Sequence, residues 1–303
     1  MKAIWFDRHG GPDVLEVRDV PAPEPRDDEV LVNVEVAGVN YRDVYERERE
    51  GYGTDAPGIV GTEAGGTTAD GERLAWAHGS ASYAEQVAVS RDKTVPIPDG
   101  VPTDVAVAAL LQGMTAHYLA HDSHPIQEGD RVLVHAAAGG VGLLLTQIAK
   151  LRGAYVVATA SSDEKRELAR GAGADEAIGY DDVPERAFAA VYDGVGRTTF
   201  ERSLKALAPT GKLILYGASS GEPDPIDART LAANGSLYLQ RPTLATYTRT
   251  PDMLRDRAAA VFGLIADGKL DVRIGHRYPL AEARRAHEDL EARRTTGKLL
   301  LVP

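Results

Sequence analysis

The sequence has 303 residues, of which 43% are hydrophobic and 26% charged, and its formal net charge is −11. This length exceeds one average domain and suggests two. The negative charge argues against nucleic acid or an anionic membrane as a partner, since both would repel the protein. There are no cysteines, which excludes disulfides, thiolate metal sites and a cysteine nucleophile. No charged-then-apolar leader occurs at Met1 and no apolar run could cross a bilayer, so we expect a cytoplasmic protein.

The first hundred residues predict a β-rich module. Short strands are expected at 1–7 and 14–20, on either side of a turn at Gly10-Gly11-Pro12. Residues 29–36 alternate apolar and polar side chains, which is the period of a half-buried antiparallel strand. A short helix is expected at 40–48, and further β structure after Gly61 and at 83–89.

From Thr103 the pattern becomes helical, and strands and helices then alternate. Glycine-containing helix stops at 171–173 and 209–211 precede two of the strands, which are expected at 131–136, 154–160, 176–179, 188–193 and 212–217. Such alternation implies a doubly wound parallel sheet with helices on both faces. The remaining expected elements are a strand at 236–240, helices at 253–267 and 280–293, and a closing strand at 298–302.

The segment 131–152 reads as a buried strand, a turn of small residues and an amphipathic helix, the context in which a dinucleotide fingerprint is meaningful. Ala137 stands where the first glycine of that fingerprint would be. Gly139 would let the backbone approach a pyrophosphate, and Gly142 would let the helix pack on the strand. The N–H groups of the helix N-terminus, including those of Gly140 and Val141, would face the phosphates. The alternative is a small-residue turn that binds no nucleotide.

The end of the second strand of this α/β region bears on which nicotinamide cofactor binds. An enzyme that uses NADH normally has an acidic residue there, whereas this chain has Ala160. Ser161, Ser162 and Lys165 follow and could bind a 2′-phosphate, so we expect NADPH rather than NADH. The alternative is that Ser161 and Glu164 form a helix capping box and that Lys165 is only solvated.

Candidate substrate-side residues lie in the segment NYRDVYERE. If this segment is helical, Asn40 and Asp43 share one face and Tyr45 lies on an adjacent face. Hydrogen-bond donors here could polarise an acceptor oxygen beside a bound nicotinamide. The structural alternatives are that Asn40 caps the helix, that Asp43 pairs with Arg42 or Arg47, and that Tyr45 belongs to the core.

Several segments together carry a family resemblance: HGGPDVLEV, AGVNYRDVY, PGIVGTEAGG, HAAAGGVG, YDGVG, GSLYLQRP and the terminal YPLAEARRAHEDLEARRTTGKLLLVP. They resemble the NADPH:quinone oxidoreductase, or zeta-crystallin-like, branch of the medium-chain dehydrogenase/reductase superfamily over nearly the whole chain. The resemblance implies a GroES-like β-rich catalytic domain at 1–113 and 251–303, with a Rossmann NADPH-binding domain at 114–250. It also implies a reductase of small quinones. The alternatives are an enone or enoyl-thioester reductase of the same superfamily and a non-catalytic NADPH-binding protein.

The resemblance also implies roles for individual residues. Asn40, Asp43 and Tyr45 would line the substrate side of the site, and Arg241 could reach it. The remaining implied contacts are to the cofactor: Thr115 at the nicotinamide end, and Tyr180 and Arg293 at the 2′-phosphate. Independently of the resemblance, Gly217 at the end of the strand KLILYG would let the backbone approach the cofactor, and the alternative is a plain strand-end glycine. The GSLYLQRP segment would form an edge strand that helps to build a homodimer.

Zinc-dependent relatives have a cysteine and a histidine at the positions of Asn40 and Thr62. An asparagine and a threonine are poor zinc ligands, so we expect no metal.

Overall fold

The computed structural model describes all 303 residues, from Met1 to Pro303. It contains sixteen strands: β1 (Lys2–Phe6), β2 (Glu16–Asp19), β3 (Glu29–Val39), β4 (Gly58–Ile59), β5 (Glu63–Thr68), β6 (Arg73–Trp76), β7 (Gln86–Ser90), β8 (Thr94–Pro96), β9 (Arg131–Val134), β10 (Tyr155–Thr159), β11 (Glu176–Ile178), β12 (Phe188–Asp193), β13 (Leu207–Leu215), β14 (Tyr238–Gln240), β15 (Ile274–Pro279) and β16 (Lys298–Val302). It contains nine α-helices: α1 (Tyr41–Glu48), α2 (Thr103–Tyr118), α3 (Gly140–Leu151), α4 (Asp163–Gly171), α5 (Phe200–Ala206), α6 (Ala228–Ala233), α7 (Leu244–Tyr247), α8 (Pro251–Ala266) and α9 (Ala283–Glu291).

The chain divides into two compact units. The terminal unit comprises Met1–Leu111 and Thr248–Pro303, and the central unit comprises Gln112–Tyr247. None of the helices combines the length and the apolar character that crossing a lipid bilayer would require.

The terminal unit is built on two sheets. A small antiparallel sheet has the order β2-β1-β4, and a larger mixed sheet has the order β15-β16-β3-β5-β6-β8, with β7 also paired to β3. Phe6, Trp76 and Tyr83 are fully buried in the apolar core of this unit. Strand β3 is central to the larger sheet, since it pairs with β5, β7 and β16.

The central unit is a six-stranded parallel sheet with the order β11-β10-β9-β12-β13-β14. The strand order reverses between β9 and β12, and dinucleotides bind at the carboxyl ends of the strands at such a point. Leu133, Val157 and Val191 of the three middle strands are fully buried, because helices cover both faces. The predicted fold class, a doubly wound parallel sheet with a separate β-rich part, is confirmed.

Two strands extend by three or more residues beyond the bounds expected for them. Strand β3 continues to Val39 instead of ending at 36, because Ala37 and Gly38 pair with both β5 and β16. Strand β13 begins at Leu207, which pairs with Phe188 before a bulge restores the register at Lys212. The expected helix stop at 209–211 therefore lies inside this irregular start of β13.

Candidate active site

The turn between β9 and α3 has the geometry of an anion-binding helix terminus. Gly139 is the N-cap of α3, no side chain caps the helix, and its first turn holds no acidic residue. The N–H of Ala137 donates to the carbonyl oxygen of Thr159 at 3.1 Å, which fixes the turn against the end of β10. The N–H groups of Gly140, Val141 and Gly142 begin the helix, where unpaired donors and the positive dipole end favour a phosphate.

The glycines of this turn fit a dinucleotide. A Cβ at Gly142 would lie 2.5 Å from the carbonyl oxygen of Ala136, so only glycine lets α3 pack this closely on the turn. A Cβ at Gly139 would have a single neighbour within 4 Å, the Ala136 carbonyl oxygen at 3.3 Å. The protein therefore leaves open space beside Gly139. Because glycine has no side chain, that space stays available for a pyrophosphate. Gly217 follows β13, and a Cβ there would lie 2.8 Å from the carbonyl oxygen of Gly194.

Hydroxyl and cationic groups follow the end of β10, together with the acidic residues Asp163 and Glu164 of the first turn of α4. The hydroxyl of Ser162 accepts the Lys165 N–H at 3.3 Å and so caps α4. The expected alternative, a capping box at Ser161, is therefore wrong, and Ser161 is exposed beside Ala160. Lys165 is half-buried in the first turn of α4. The guanidinium of Arg166 lies 3.4 Å from the Ala160 carbonyl oxygen, which adds a cation that the sequence argument did not single out.

A network of buried polar side chains lies behind the ring of Tyr180. The ring of Tyr180 stacks on that of His135 with centroids 5.7 Å apart. His135 lies 2.8 Å from the Thr159 hydroxyl and 3.1 Å from the Ser203 hydroxyl, and Ser203 donates to the carboxylate of Asp193 at 2.7 Å. Burial lowers the pKa of His135, so its ring is neutral.

The carboxylate of Asp193, in the YDGVG segment, organises the loop that follows β12. It accepts the N–H groups of Val195 and Gly196 at 2.8 and 3.0 Å, and the hydroxyl of Thr199 at 2.7 Å. These bonds fix the loop that approaches Gly217, since Gly217 donates to the carbonyl oxygen of Asp193 at 3.4 Å.

The remaining predicted residues are divided between the two units. Thr115 is buried in α2. Arg241 follows β14 in the central unit, where it donates to the Leu215 carbonyl oxygen at 3.0 Å and pairs with Glu222 at 3.3 Å. Arg293 lies in the terminal unit, after α9, with a positive φ of 56°.

In the terminal unit, Asp43 is a fully buried acceptor. Its carboxylate accepts the Asn40 backbone N–H at 2.8 Å, the Thr62 hydroxyl at 2.8 Å and the Tyr83 hydroxyl at 2.9 Å. Burial raises the pKa of Asp43 to about 6, although the Thr62 and Tyr83 hydroxyls oppose this shift. Asp43 therefore joins the start of α1 to the segments around Thr62 and Tyr83, and its carboxylate does not pair with Arg42 or Arg47.

Behind Tyr83 lies a buried imidazole. The Tyr83 hydroxyl is 3.2 Å from His287 Nε2, and His287 Nδ1 is 3.2 Å from Arg47 Nη1, which also pairs with Glu291 at 2.6 Å. Because Arg47 can only donate, Nδ1 accepts and Nε2 carries the proton that it donates to Tyr83. Burial, with the nearby Arg47 charge, lowers the pKa of His287 to about 3. Hydrogen bonds are therefore donated in one direction along this chain of side chains, from Arg47 through His287 and Tyr83 to Asp43.

Asn40 is the N-cap residue of α1 and forms a capping box with Asp43, whose carboxylate accepts the Asn40 backbone N–H at 2.8 Å. Its carboxamide also contacts Glu63 and Lys298, both of which are buried. Tyr45 is half-buried, with the Tyr52 ring edge-on at 5.4 Å and the Arg49 guanidinium 4.7 Å from its ring centroid. Tyr45 is therefore part of an aromatic and cationic cluster and not of the apolar core.

The side chains at the two zinc-ligand positions of related enzymes are engaged with protein partners. The Thr62 hydroxyl donates to Asp43, and the Asn40 oxygen accepts from the Lys298 ammonium. An ammonium against this oxygen opposes a second cation. No group of three or more His, Asp or Glu side chains could hold a metal ion.

Sequence reasoning did not single out four buried polar residues of the terminal unit: Lys298, Glu63, Tyr83 and His287. One signal was present, since Lys298 opens the otherwise apolar strand KLLLV, where a buried charge needs a partner. The partner itself lies 235 positions away in sequence, at Glu63, and no local pattern indicates it.

Comparison with known proteins identifies the family. Residues 172–301 match the family model described as zinc-binding dehydrogenase. The chain is 40% identical to a quinone oxidoreductase of Pseudomonas aeruginosa, over 100% of this chain and 99% of that protein. It is 42% identical to a mycobacterial protein solved in complex with NADPH, with a TM-score of 0.94 and complete coverage of both chains. The Escherichia coli quinone oxidoreductase, also solved with NADPH, is 34% identical, with a TM-score of 0.96 and complete coverage of both chains. The chain therefore belongs to the quinone oxidoreductase branch of the medium-chain dehydrogenase/reductase superfamily.

Proposed function

We propose that this protein is an NADPH-dependent reductase of small quinones that works without a bound metal. The observation that carries the proposal is the end of β10, where Ala160 replaces an acidic residue next to the uncapped N-terminus of α3. A 2′-phosphate meets no carboxylate at this strand end, and a pyrophosphate meets free N–H donors. Full-length similarity to quinone oxidoreductases supports the same reaction.

The central unit supplies most of the cofactor site. NADPH, when bound, supplies a hydride from its nicotinamide ring. We assign the phosphates to the glycine turn (Ala137, Gly139, Gly140, Val141 and Gly142). We assign the 2′-phosphate to Ser161, Lys165, Tyr180 and Arg293, and the nicotinamide end to Thr115 and Gly217. The hydroxyl, ammonium and guanidinium groups among these residues are suitable partners for a phosphate.

The substrate side combines groups that touch the acceptor with groups that position them. Asn40, Tyr45 and Arg241 are proposed to line the acceptor site. Asp43 is fully buried with both carboxylate oxygens engaged, so its proposed role is to hold the start of α1 in place. No buried acid or base is required, because a quinone can take its proton from solvent after reduction.

The chemistry of the donor set supports metal independence. A divalent cation near Asn40 and Thr62 would face the Lys298 ammonium, and the two nearby carboxylates, Asp43 and Glu63, already accept hydrogen bonds from protein groups. Activity should therefore survive dialysis against a chelator without loss.

The function is tested by measuring NADPH and NADH oxidation in parallel against a panel of para- and ortho-quinones and a panel of enones. We expect turnover with quinones and a kcat/KM for NADPH at least about tenfold above that for NADH, equivalent to about 1.4 kcal/mol. Turnover confined to enones would assign the chain to carbon–carbon double-bond reduction. Tight NADPH binding with no turnover on either panel would favour a non-catalytic binding protein.

We also propose a homodimer formed through β14. This strand is at the edge of the central sheet, pairing only with β13, and Tyr238 on it is 60% exposed. An exposed edge with a large apolar side chain favours association with a second copy. Sedimentation equilibrium should give twice the chain mass of 32.3 kDa, and a monomer would contradict the proposal.

A further inference from the structure

Lys298 is a buried lysine that begins an otherwise apolar strand. Only 2% of Lys298 is exposed, and the residues that follow it in β16 are apolar leucines. Its partner Glu63 is fully buried at the start of β5. A buried ion pair commonly contributes no more to stability than well-packed apolar residues of the same volume. The pair therefore needs an explanation other than stability.

The Lys298–Glu63 pair holds the side-chain carboxamide of Asn40 in one orientation, and we take this as the explanation. The Lys298 ammonium donates to Asn40 Oδ1 at 2.7 Å and pairs with Glu63 Oε2. Asn40 Nδ2 donates to the same Glu63 oxygen at 3.1 Å and to the Gly38 carbonyl oxygen at 3.2 Å. Turning the amide by 180° would place its NH2 group against the ammonium and its oxygen against the carboxylate. Only one orientation of Asn40 is therefore stable.

The backbone makes room for this arrangement and anchors it. A Cβ at Gly38 would lie 2.8 Å from the Lys298 ammonium nitrogen, so a glycine is needed on β3. The other oxygen of Glu63 accepts the backbone N–H of Leu111, inside α2, at 2.8 Å. The ion pair is thus held by β5, β16 and α2, and it presents a rigid frame to the residue that begins α1.

We propose that Lys298, together with Glu63, is a positioning residue of the acceptor site that acts through the carboxamide of Asn40. The inference rests on the proposed quinone reductase function. The pair lies in the terminal unit, whereas most of the proposed cofactor residues lie in the central unit. Loss of Lys298 should therefore lower turnover and leave the affinity for NADPH unchanged.

The test compares Lys298→Met, which keeps the length of the side chain without the charge, with the double variant Glu63→Gln/Lys298→Met. The single variant leaves a buried carboxylate without its cation and is expected to melt at a lower temperature. The double variant removes both charges and should recover most of that loss. Lys269→Met removes an exposed lysine of the same unit and is the matched control.

We expect kcat with a quinone to fall at least tenfold in both Lys298 variants, with the NADPH dissociation constant within twofold of wild type. Lys298→Arg, which keeps a cation, should restore part of kcat. A wild-type kcat in the double variant would overturn the inference. A parallel loss of NADPH affinity in both variants would also overturn it, because Lys298 would then have only a structural role. A wild-type protein that turns over no quinone would instead contradict the proposed function itself.

Discussion

We propose that the preference for NADPH depends on a few side chains at the end of β10. Ser162 caps α4, so the hydroxyl of Ser161 is not used for capping. Lys165 and Arg166 lie in the first turn of the same helix, and Asp163 precedes them and pairs with Arg166. We propose Lys165 as the phosphate contact, since its ammonium group is a suitable partner for a phosphate.

We predict that Lys165→Glu raises the KM for NADPH at least tenfold and changes the KM for NADH by less than twofold. A carboxylate at this position would repel the 2′-phosphate, which only NADPH carries. The measurement is steady-state kinetics with both cofactors and one quinone. Arg170→Glu introduces the same change of charge at the far end of α4 and should have little effect on either KM. Equal effects of Lys165→Glu on both cofactors would contradict the assignment.

At the scale of single residues, a role that depends on sequence neighbours could be predicted, whereas a role that depends on distant contacts could not. The glycine turn and the missing acid at Ala160 could be recognised because their meaning depends on neighbours in sequence. The partners of Asn40 could not, since Lys298 lies 258 positions away. The choice between Ser161 and Ser162 as the cap of α4 was equally hidden, because both have the right chemistry and adjacent positions.

At the scale of elements, the strands of the central unit were predictable, whereas two strands of the terminal unit were not. Strands β9, β10 and β12 are apolar on both faces, as buried parallel strands must be. Strands β8 and β15 were not predicted. The first has three residues, and the second, IGHRYP, is mostly exposed and shows no alternation. These strands exist because β6 and β16 offer them edges to pair with, which is tertiary information.

Gly139 and Gly142, in the turn that begins α3, have different expected roles, and substitutions can distinguish these roles. Gly139→Ala should raise the NADPH dissociation constant about tenfold, equivalent to about 1.4 kcal/mol, with little change in melting temperature. Its methyl group would meet only the Ala136 carbonyl oxygen, at 3.3 Å, and would otherwise occupy space assigned to the pyrophosphate. Gly142→Ala should instead lower the melting temperature of the cofactor-free protein, because its Cβ would lie 2.5 Å from the same oxygen.

Fluorescence titration with NADPH and circular dichroism melting measure the two effects. Gly263→Ala in α8 is the control, since a Cβ there would meet no atom within 4 Å. If Gly139→Ala left NADPH affinity intact, the pyrophosphate would not lie against this turn.

At the scale of the whole molecule, each of the two units has its own apolar core. The parallel sheet of the central unit could be predicted from its repeated β–α pattern. The polar interior of the terminal unit could not, because it joins α1, the segment around Tyr83 and α9. That interior has a consequence for stability, since burial shifts the pKa values of Asp43, Tyr83 and His287.

The pH dependence of stability follows from His287. Its pKa is about 3 in the folded protein and near 6.5 in an unfolded chain, so the unfolded state binds the proton more readily. The contribution of His287 is therefore complete above pH 6.5 and is lost progressively as the pH falls toward 3. Asp43 acts in the opposite sense, because its folded pKa of about 6 lies above the unfolded value of 3.8. Protonation of Asp43 between pH 6 and 4 should offset part of the loss.

We predict that the free-energy difference between wild type and His287→Gln shrinks by about 2 kcal/mol from pH 8 to pH 5. Glutamine cannot take up the proton, so the variant lacks this loss, while the contribution of Asp43 largely cancels in the difference. Urea unfolding followed by tryptophan fluorescence is the suitable measurement, because both tryptophans, Trp5 and Trp76, lie in the terminal unit with His287. His276→Gln, at an exposed position of the same unit, measures the effect of removing a surface imidazole. A difference that stayed constant between pH 8 and pH 5 would mean that the imidazole is not held neutral between Tyr83 and Arg47.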